Sequence, residues 1–364
     1  MGIAKTQDEE SERRELEDFR QTLVALAARE RSKENEDLKG LMSPDTANVD
    51  LQDKLVCVTS GVSFLGVALV NRLLIHGYSV RILVHNQDDV ERLREMQVSG
   101  EMMVACSNKI SVVMAKPTEI QGLTEAFDGC RGVFHTSAFA DPAGISGYSK
   151  YMAEIEVKAS ENVMKACART ASVKNCVLTS SLLSCIWRDS HQPQLPTLVN
   201  HDCWSSESLC MDKKLWFALG KLKAEKVAWK IAEEMSLKLT TICPGLITGP
   251  EFSHRNPTVT IAYLKGAQEM YGNGLLASVD VIRLAEAHVC VYEAMNKTAS
   301  GRYICFDRII ERDEEAEKLA TEIGMPAHKI CGNSLEFIPI RFQLSNKKLN
   351  NLMSTTPRNC YAQS

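Results

Sequence analysis

Residues 55–66, from Leu55 to Gly66, read LVCVTSGVSFLG: a short apolar run, a turn of small residues, then the opening of a helix. Such a stretch begins a dinucleotide-binding βαβ unit. The helix continues through Val67, Leu69, Val70, Leu73 and Leu74 at helical spacing, stops at Gly77, and leads to a second strand over 80–84. A pyrophosphate suits the junction of strand and helix, because unpaired backbone N–H groups and the helix dipole favour an anion there. Thr59, Ser60, Gly61, Ser63, Phe64, Leu65 and Gly66 form the expected cradle. Glycine occurs only at Gly61 and Gly66, with Ser60 and Ser63 where a fuller glycine pattern would continue. A serine forced to positive φ costs about 1–2 kcal/mol, yet its hydroxyl can donate to a phosphate. Two readings of the turn therefore stay open: a working cofactor cradle, and a dinucleotide fold that binds cofactor poorly or not at all.

The 364 residues are 45% apolar and 24% charged, enough for one large α/β domain with an appended lobe. Formal net charge is −4 with no basic run, which argues against nucleic acid as a partner. No apolar stretch reaches the roughly 18 residues needed to span a bilayer, and the first residues lack an apolar signal core, so a cytoplasmic protein is expected. Thirteen cysteines, none in a C-x-x-C pair, fit reduced core thiols better than a disulfide framework or a metal site. The sequence sets no oligomeric state.

Residues 1–53 are charged and read as a mobile extension, with one possible helix from Glu15 to Arg31. The opening Met1-Gly2 and Thr6 satisfy the formal myristoylation pattern, but Asp8, Glu9 and Glu10 would be repelled by anionic lipid, so no membrane partner is expected. Strands then alternate with helices: strands at 110–114, 132–136, 176–179 and 239–242, helices near 90–96, 123–127, 154–168 and 215–235. Alternation predicts a doubly wound parallel sheet, a Rossmann domain over 54–245, with ligand at the carboxyl ends of the strands. Residues 246–364 read mainly as a small substrate lobe, with a late strand at 301–305 returning to the sheet.

Several stretches, in order, resemble the cinnamoyl-CoA reductase and dihydroflavonol reductase group of extended short-chain dehydrogenases, and most of all its divergent plant cinnamoyl-CoA reductase-like branch. They are VTSGVSFLG, GVFHTSA (132–138), LTSS (178–181), DCWSSESLC (202–210), GKLKAEKVAW (220–229), CPGLITGP (243–250) and ASGRYIC (299–305). The likeness runs from about Leu55 to Leu352 and implies an NADPH-dependent reduction of a carbonyl or thioester, usually of a phenylpropanoid. It also implies cofactor contacts at Ser137, Ala138, Pro244, Gly245 and Ile247.

Such reductases carry a serine that bonds the substrate oxygen, a tyrosine that protonates it, and a lysine that lowers the tyrosine pKa and holds the nicotinamide ribose. Ser181 and Lys221 match the serine and the lysine, but the tyrosine position is Phe217. Phenylalanine has no proton to give. A water or a nearby hydroxyl, Ser181 or Ser180, has to serve instead; Tyr148, Tyr151, Tyr263 and Tyr271 cannot be placed from sequence. The positions that pair with the 2′-phosphate in NADPH-dependent relatives hold His85 and Glu91, with Arg92 and Arg94 close by. Lys116 stands where relatives place an acidic adenine contact, and it cannot accept a hydrogen bond. Of the substrate signature, Lys265 matches the lysine, Tyr263 lies near the histidine position and Arg312 matches an arginine.

Plainer roles stand beside these. Ser180 and Ser181 can cap a strand end, Lys221 can be a solvated helix lysine and His85 a surface histidine. His135 and His288 are expected in the core, bonded to backbone. Cys203 and Cys210 have the family's spacing for a redox bridge, with reduced thiols preferred. The leading expectation is an oxidoreductase that uses NADP or NAD on a small aryl substrate, weakly because of Phe217. The rival is a non-catalytic Rossmann protein acting as a nucleotide or ligand sensor or as a protein scaffold.

Overall fold

A computed structural model describes residues 54–103, 108–136, 148–188, 196–332 and 342–355. The expectations for residues 1–53, including Gly2, and for Ser137 and Ala138 lie outside the described residues. Seven parallel strands form the main sheet: β1 (Leu55–Val58), β2 (Ser79–Val84), β3 (Ile110–Met114), β4 (Gly132–His135), β5 (Asn175–Thr179), β7 (Lys238–Pro244) and β10 (Gly301–Cys305). β6 (Leu198–Val199) pairs in parallel with β12 (Gln343–Leu344). A small mixed sheet joins β8 (Leu246–Thr248), β9 (Ala277–Asp280) and β11 (Arg308–Ile309), with β8 parallel and β11 antiparallel to β9.

The order in the main sheet is β10-β7-β5-β4-β1-β2-β3. Val56 of β1 pairs with Val80 of β2 on one side and Gly132 of β4 on the other. Strand order reverses between β1 and β4, and the gap beyond their carboxyl ends is where an open α/β sheet takes its ligand.

The strands are apolar along their length because both faces are covered. Val56, Val58, Ile82, Phe134 and Val177 face one core, under α1 (Phe64–Ile75) and α2 (Gln87–Val98). Cys57, Leu83, Val133, Cys176 and Leu178 face the other, under α3 (Ile120–Phe127), α4 (Lys150–Arg169) and α5 (Trp216–Glu234). A sixth long helix, α6 (Val281–Ala294), packs beside α1. Helices on both faces make the sheet doubly wound, the architecture expected from the alternation of strands and helices.

The turn after β1 carries none of the backbone strain considered for its serines. Ser63 has φ −77° and ψ 165°, the extended geometry of a helix N-cap, and its hydroxyl accepts from Gly66 N. The positive-φ residues of the structure lie elsewhere. Glycine is needed for room instead: a Cβ on Gly66 would stand 1.9 Å from the Ser60 carbonyl oxygen, and one on Gly61 would stand 2.7 Å from Ile82.

Candidate active site

A cleft opens at the carboxyl ends of β1, β4, β5 and β7. Ser63, Phe64 and Leu65 at the start of α1 line one wall, Phe217 and Lys221 of α5 the opposite one. Thr136, Thr179 and Ser181 lie between them, and residues 244–247 with Val259, Thr260 and Tyr263 close the remaining side. The structure thus brings together Ser181, Phe217 and Lys221, and with them Ser63, Phe64, Leu65, Pro244, Gly245 and Ile247.

Phe217 and Lys221 are one helical turn apart, so both face the cleft from one side of α5. Lys221 Nζ lies 5.5 Å from the centroid of the Phe217 ring. The ammonium is buried and meets Glu156 Oε1 of α4 at 2.6 Å, where Glu156 is 2% exposed. The other oxygen of Glu156 takes the hydroxyl of Tyr148, whose ring packs edge-on against Phe217 with centroids 5.0 Å apart. Burial, then the charge of Glu156, pushes the Tyr148 phenol far above its ordinary value. The arrangement hides a carboxylate, an ammonium and a phenol behind an apolar ring. Sequence reading missed Glu156, although its helical spacing from Ala153 and Ser160 puts it on a face of small residues that packs against another helix.

Ser181 Oγ accepts from Leu183 N at 3.2 Å, which leaves its own proton to offer. Ser180 is turned away and donates to Glu225 Oε2 at 2.6 Å. Glu225 is fully buried, with Arg302 Nε at 2.7 Å and Thr241 Oγ1 at 2.7 Å on its other oxygen. Burial alone would raise the Glu225 carboxyl; the Arg302 charge and these hydrogen bonds outweigh it and hold the pKa below the ordinary value. Ser184 links the brace to the site, its Oγ 2.8 Å from both Glu225 Oε2 and the Ser181 carbonyl.

On the cofactor side, the Ser63 hydroxyl donates to the Ser60 carbonyl at 2.7 Å while it caps Gly66, so its proton is not offered to the cleft. The first-turn N–H groups of Phe64 and Leu65 remain for an anion. Thr136 Oγ1 is buried without a hydrogen-bond partner, and Thr136 lines the cleft. His135 is bonded through Nδ1 to Thr59 Oγ1 at 3.0 Å rather than to backbone, and its Nε2 is buried without a partner. Burial first, then the charges of Lys221 and His85, lower its pKa to about 3, so it is a neutral imidazole. His288 is satisfied by the Leu284 carbonyl at 2.8 Å and Thr179 Oγ1 at 2.7 Å. A glycine that only Gly can be, two open N–H groups and the unsatisfied hydroxyls of Thr136 and Thr260 on the cleft lining fit a dinucleotide.

Other candidates stand apart from the cleft lining. Lys116 is exposed and meets Glu119 at 3.5 Å. Lys265 donates to the Lys214 carbonyl at 2.5 Å, and Arg312 is exposed and bonded to Glu315 at 2.7 Å. Tyr151 is exposed and Tyr271 bonds Asp313 at 2.6 Å, whereas Tyr263 borders the cleft and donates to the Ala277 carbonyl at 3.4 Å. Cys203 and Cys210 are free thiols. Among the described residues no helix is long and apolar enough to cross a membrane.

Comparison with known proteins bears on the sequence and the fold. The model of the NAD dependent epimerase/dehydratase family matches residues 56–304. The chain is 34% identical over 307 residues to cinnamoyl-CoA reductase 1 of Petunia hybrida, covering 82% of this chain and 86% of that one. It is 31% identical over 264 residues to tetraketide alpha-pyrone reductase 1 of Arabidopsis thaliana, covering 71% and 78%. Among solved structures, yeast methylglyoxal/isovaleraldehyde reductase Gre2 complexed with NADPH superposes with a TM-score of 0.62 at 20% identity, covering 84% of this chain and 94% of that one. Vestitone reductase from alfalfa (Medicago sativa) gives 0.57 at 23% identity, covering 82% and 91%.

Proposed function

Since this chain belongs to the NAD-dependent epimerase/dehydratase family, with plant cinnamoyl-CoA reductases among its relatives, we propose that it is an NAD(P)H-dependent reductase of an aryl carbonyl or CoA thioester. The observation that carries this reading is the placement of Ser181 and Lys221 across one cleft from the start of α1, with the Thr136 hydroxyl unsatisfied between them.

The Phe64 and Leu65 N–H groups would hold the pyrophosphate, Thr136 a polar group of the dinucleotide, and Lys221 the nicotinamide ribose. When bound, the cofactor supplies the hydride. Ser181 offers its proton to the substrate oxygen and polarises the carbonyl. Lys221 adds positive charge close by, restrained by Glu156. Phe217 gives a flat apolar wall suited to an aryl ring, but no proton, so the oxygen takes its proton from a bound water, directly or through Ser181, which regains a proton from that water as it gives its own. Losing a positioned acid costs about 10²–10⁴ in rate, and turnover is accordingly slow.

A second reading, a ligand-binding protein without turnover, is favoured by two observations: the lysine is held by a buried carboxylate, and a phenylalanine stands on the cleft lining at the acid position. The two separate in one experiment. The protein is titrated with NADH and NADPH by cofactor fluorescence, then mixed with aryl aldehydes, ketones and hydroxycinnamoyl thioesters while cofactor oxidation is followed. Binding with slow oxidation supports the reductase. Binding with none across the panel leaves the ligand-binding protein, and absence of binding up to millimolar dinucleotide removes the hydride donor.

A further inference from the structure

We propose that Glu156 offsets the charge of Lys221 where the nicotinamide lies, so that the site binds the oxidised dinucleotide about as tightly as the reduced one. The inference rests on the reductase reading above and adds a residue that sets which redox form of the cofactor the cleft retains.

The two forms differ in charge at one place: the oxidised nicotinamide ring is positive, and hydride addition removes that charge. Side-chain charge beside the ring therefore decides between them. Among the described residues lining the cleft, only Lys221 carries a charge. His135, within reach of its field, is a neutral imidazole. By itself the ammonium would repel an oxidised ring and favour the reduced form. Glu156 changes that balance: its Oε1 lies 2.6 Å from Lys221 Nζ, and both residues are buried. Little water screens either member, so the field of the carboxylate reaches the ring along with that of the ammonium. A ring beside the pair meets a dipole instead of a net charge.

The carboxylate is held in that place from several sides. A Cβ on Gly220 would stand 3.1 Å from Ala153 Cα, so the missing side chain lets α4 and α5 approach closely and brings Glu156 up to Lys221. Tyr148 donates to the second oxygen. Both oxygens thus accept, as an ionised carboxylate does. The seam between the helices is otherwise made of small residues, with Ala153 against Gly220 and the Ser160 hydroxyl donating to the Ala224 carbonyl. Packing there does not call for an acid, and burying one is costly without a partner charge.

The test is isothermal titration calorimetry of the full chain at neutral pH with NAD⁺, NADH, NADP⁺ and NADPH, read as the ratio of dissociation constants within each oxidised and reduced pair. The unmodified chain is expected to hold the two forms within about threefold of each other. Glu156→Gln keeps the shape and leaves the ammonium without its counter-charge. It should weaken the oxidised form relative to the reduced by about tenfold or more, the scale of one uncompensated charge in a poorly screened site. A Glu156 that is merely structural would weaken both forms together and leave the ratio where it was. Where Glu156→Gln fails to fold, the double variant Glu156→Gln with Lys221→Met replaces it, since it buries no unpaired charge; it should keep the ratio of the unmodified chain. A reduced form bound about tenfold tighter by the unmodified chain overturns the inference. So does an unchanged ratio in folded Glu156→Gln, or a ratio shifted about tenfold in the double variant; all three leave the reductase reading standing. If no dinucleotide binds, the inference and the reductase reading fall together.

Discussion

In the proposed reductase, Phe217 is the residue expected to limit turnover. Its ring lies on the cleft wall one turn from Lys221, so a hydroxyl added to it restores an acid within reach of the same substrate oxygen. Phe217→Tyr is expected to raise kcat by about 10²-fold or more with cofactor affinity unchanged, measured by steady-state kinetics beside a cofactor titration. An unchanged or lower kcat with intact binding would mean that the site works another way. Glu156 calls for a separate experiment. Removing one member of a buried ion pair costs about 3–5 kcal/mol, because the other charge is left in a medium that solvates it poorly. Glu156→Ala should lose that much in denaturant unfolding, and the double variant Glu156→Ala with Lys221→Met should regain most of it. If the two losses simply add, the pair is not coupled.

At the scale of elements, the β1–turn–α1 unit carries both stability and binding, and different residues carry each. Ser63 caps α1, so Ser63→Ala is expected to cost about 1 kcal/mol, read as a lowered Tm, while cofactor binding survives because the Ser63 proton is spent on the Ser60 carbonyl. Gly66→Ala should abolish dinucleotide binding, since its Cβ would drive into the turn backbone; a titration comparing the two variants checks both. This unit was legible in the sequence: an apolar run, two glycines and helical spacing leave few alternatives. The strands at 110–114 and 301–305 were readable for the same reason, as short apolar runs between turn signals. Glu156 was not, because a glutamate in a helix reads as a solvated face unless its partner, 65 positions away in sequence, is known to pack there. The unsatisfied hydroxyl of Thr136 and the bond between His135 and Thr59 were hidden likewise. They depend on two neighbouring strand ends in space, which spacing along one chain does not report. The serines of the turn looked strained for want of glycine; neither has positive φ, and Ser63 is a helix cap in extended backbone.

For the whole molecule, α1 is fastened to α6 by His76, which meets Glu293 Oε1 at 3.1 Å and Glu286 Oε2 at 3.6 Å. Hydrogen bonds donated by the ring to Glu286 and Glu293 outweigh its partial burial and raise the imidazole pKa to about 9. A pKa above the unfolded value of about 6.5 means that the folded state binds the proton more tightly. The stabilisation is then complete below about pH 6.5 and is lost as pH rises through about 9. Tm should therefore fall between those limits, and His76→Gln should flatten the part of the slope due to this residue. A variant with an unaltered slope would remove His76 from the account. A longer brace runs from the end of the sheet to the site: Arg302 on β10 reaches Glu225, Ser184 and the Cys203 carbonyl, and through Ser184 the loop that carries Ser181. That brace is written late in the message. While the chain is being synthesised from its amino end, the strands around the cofactor cleft are complete well before Arg302 leaves the ribosome. Until it does, Glu225 must stay in water, bury an unpaired charge or take up a proton, so the brace behind the loop bearing Ser181 is complete only once Arg302 is in place.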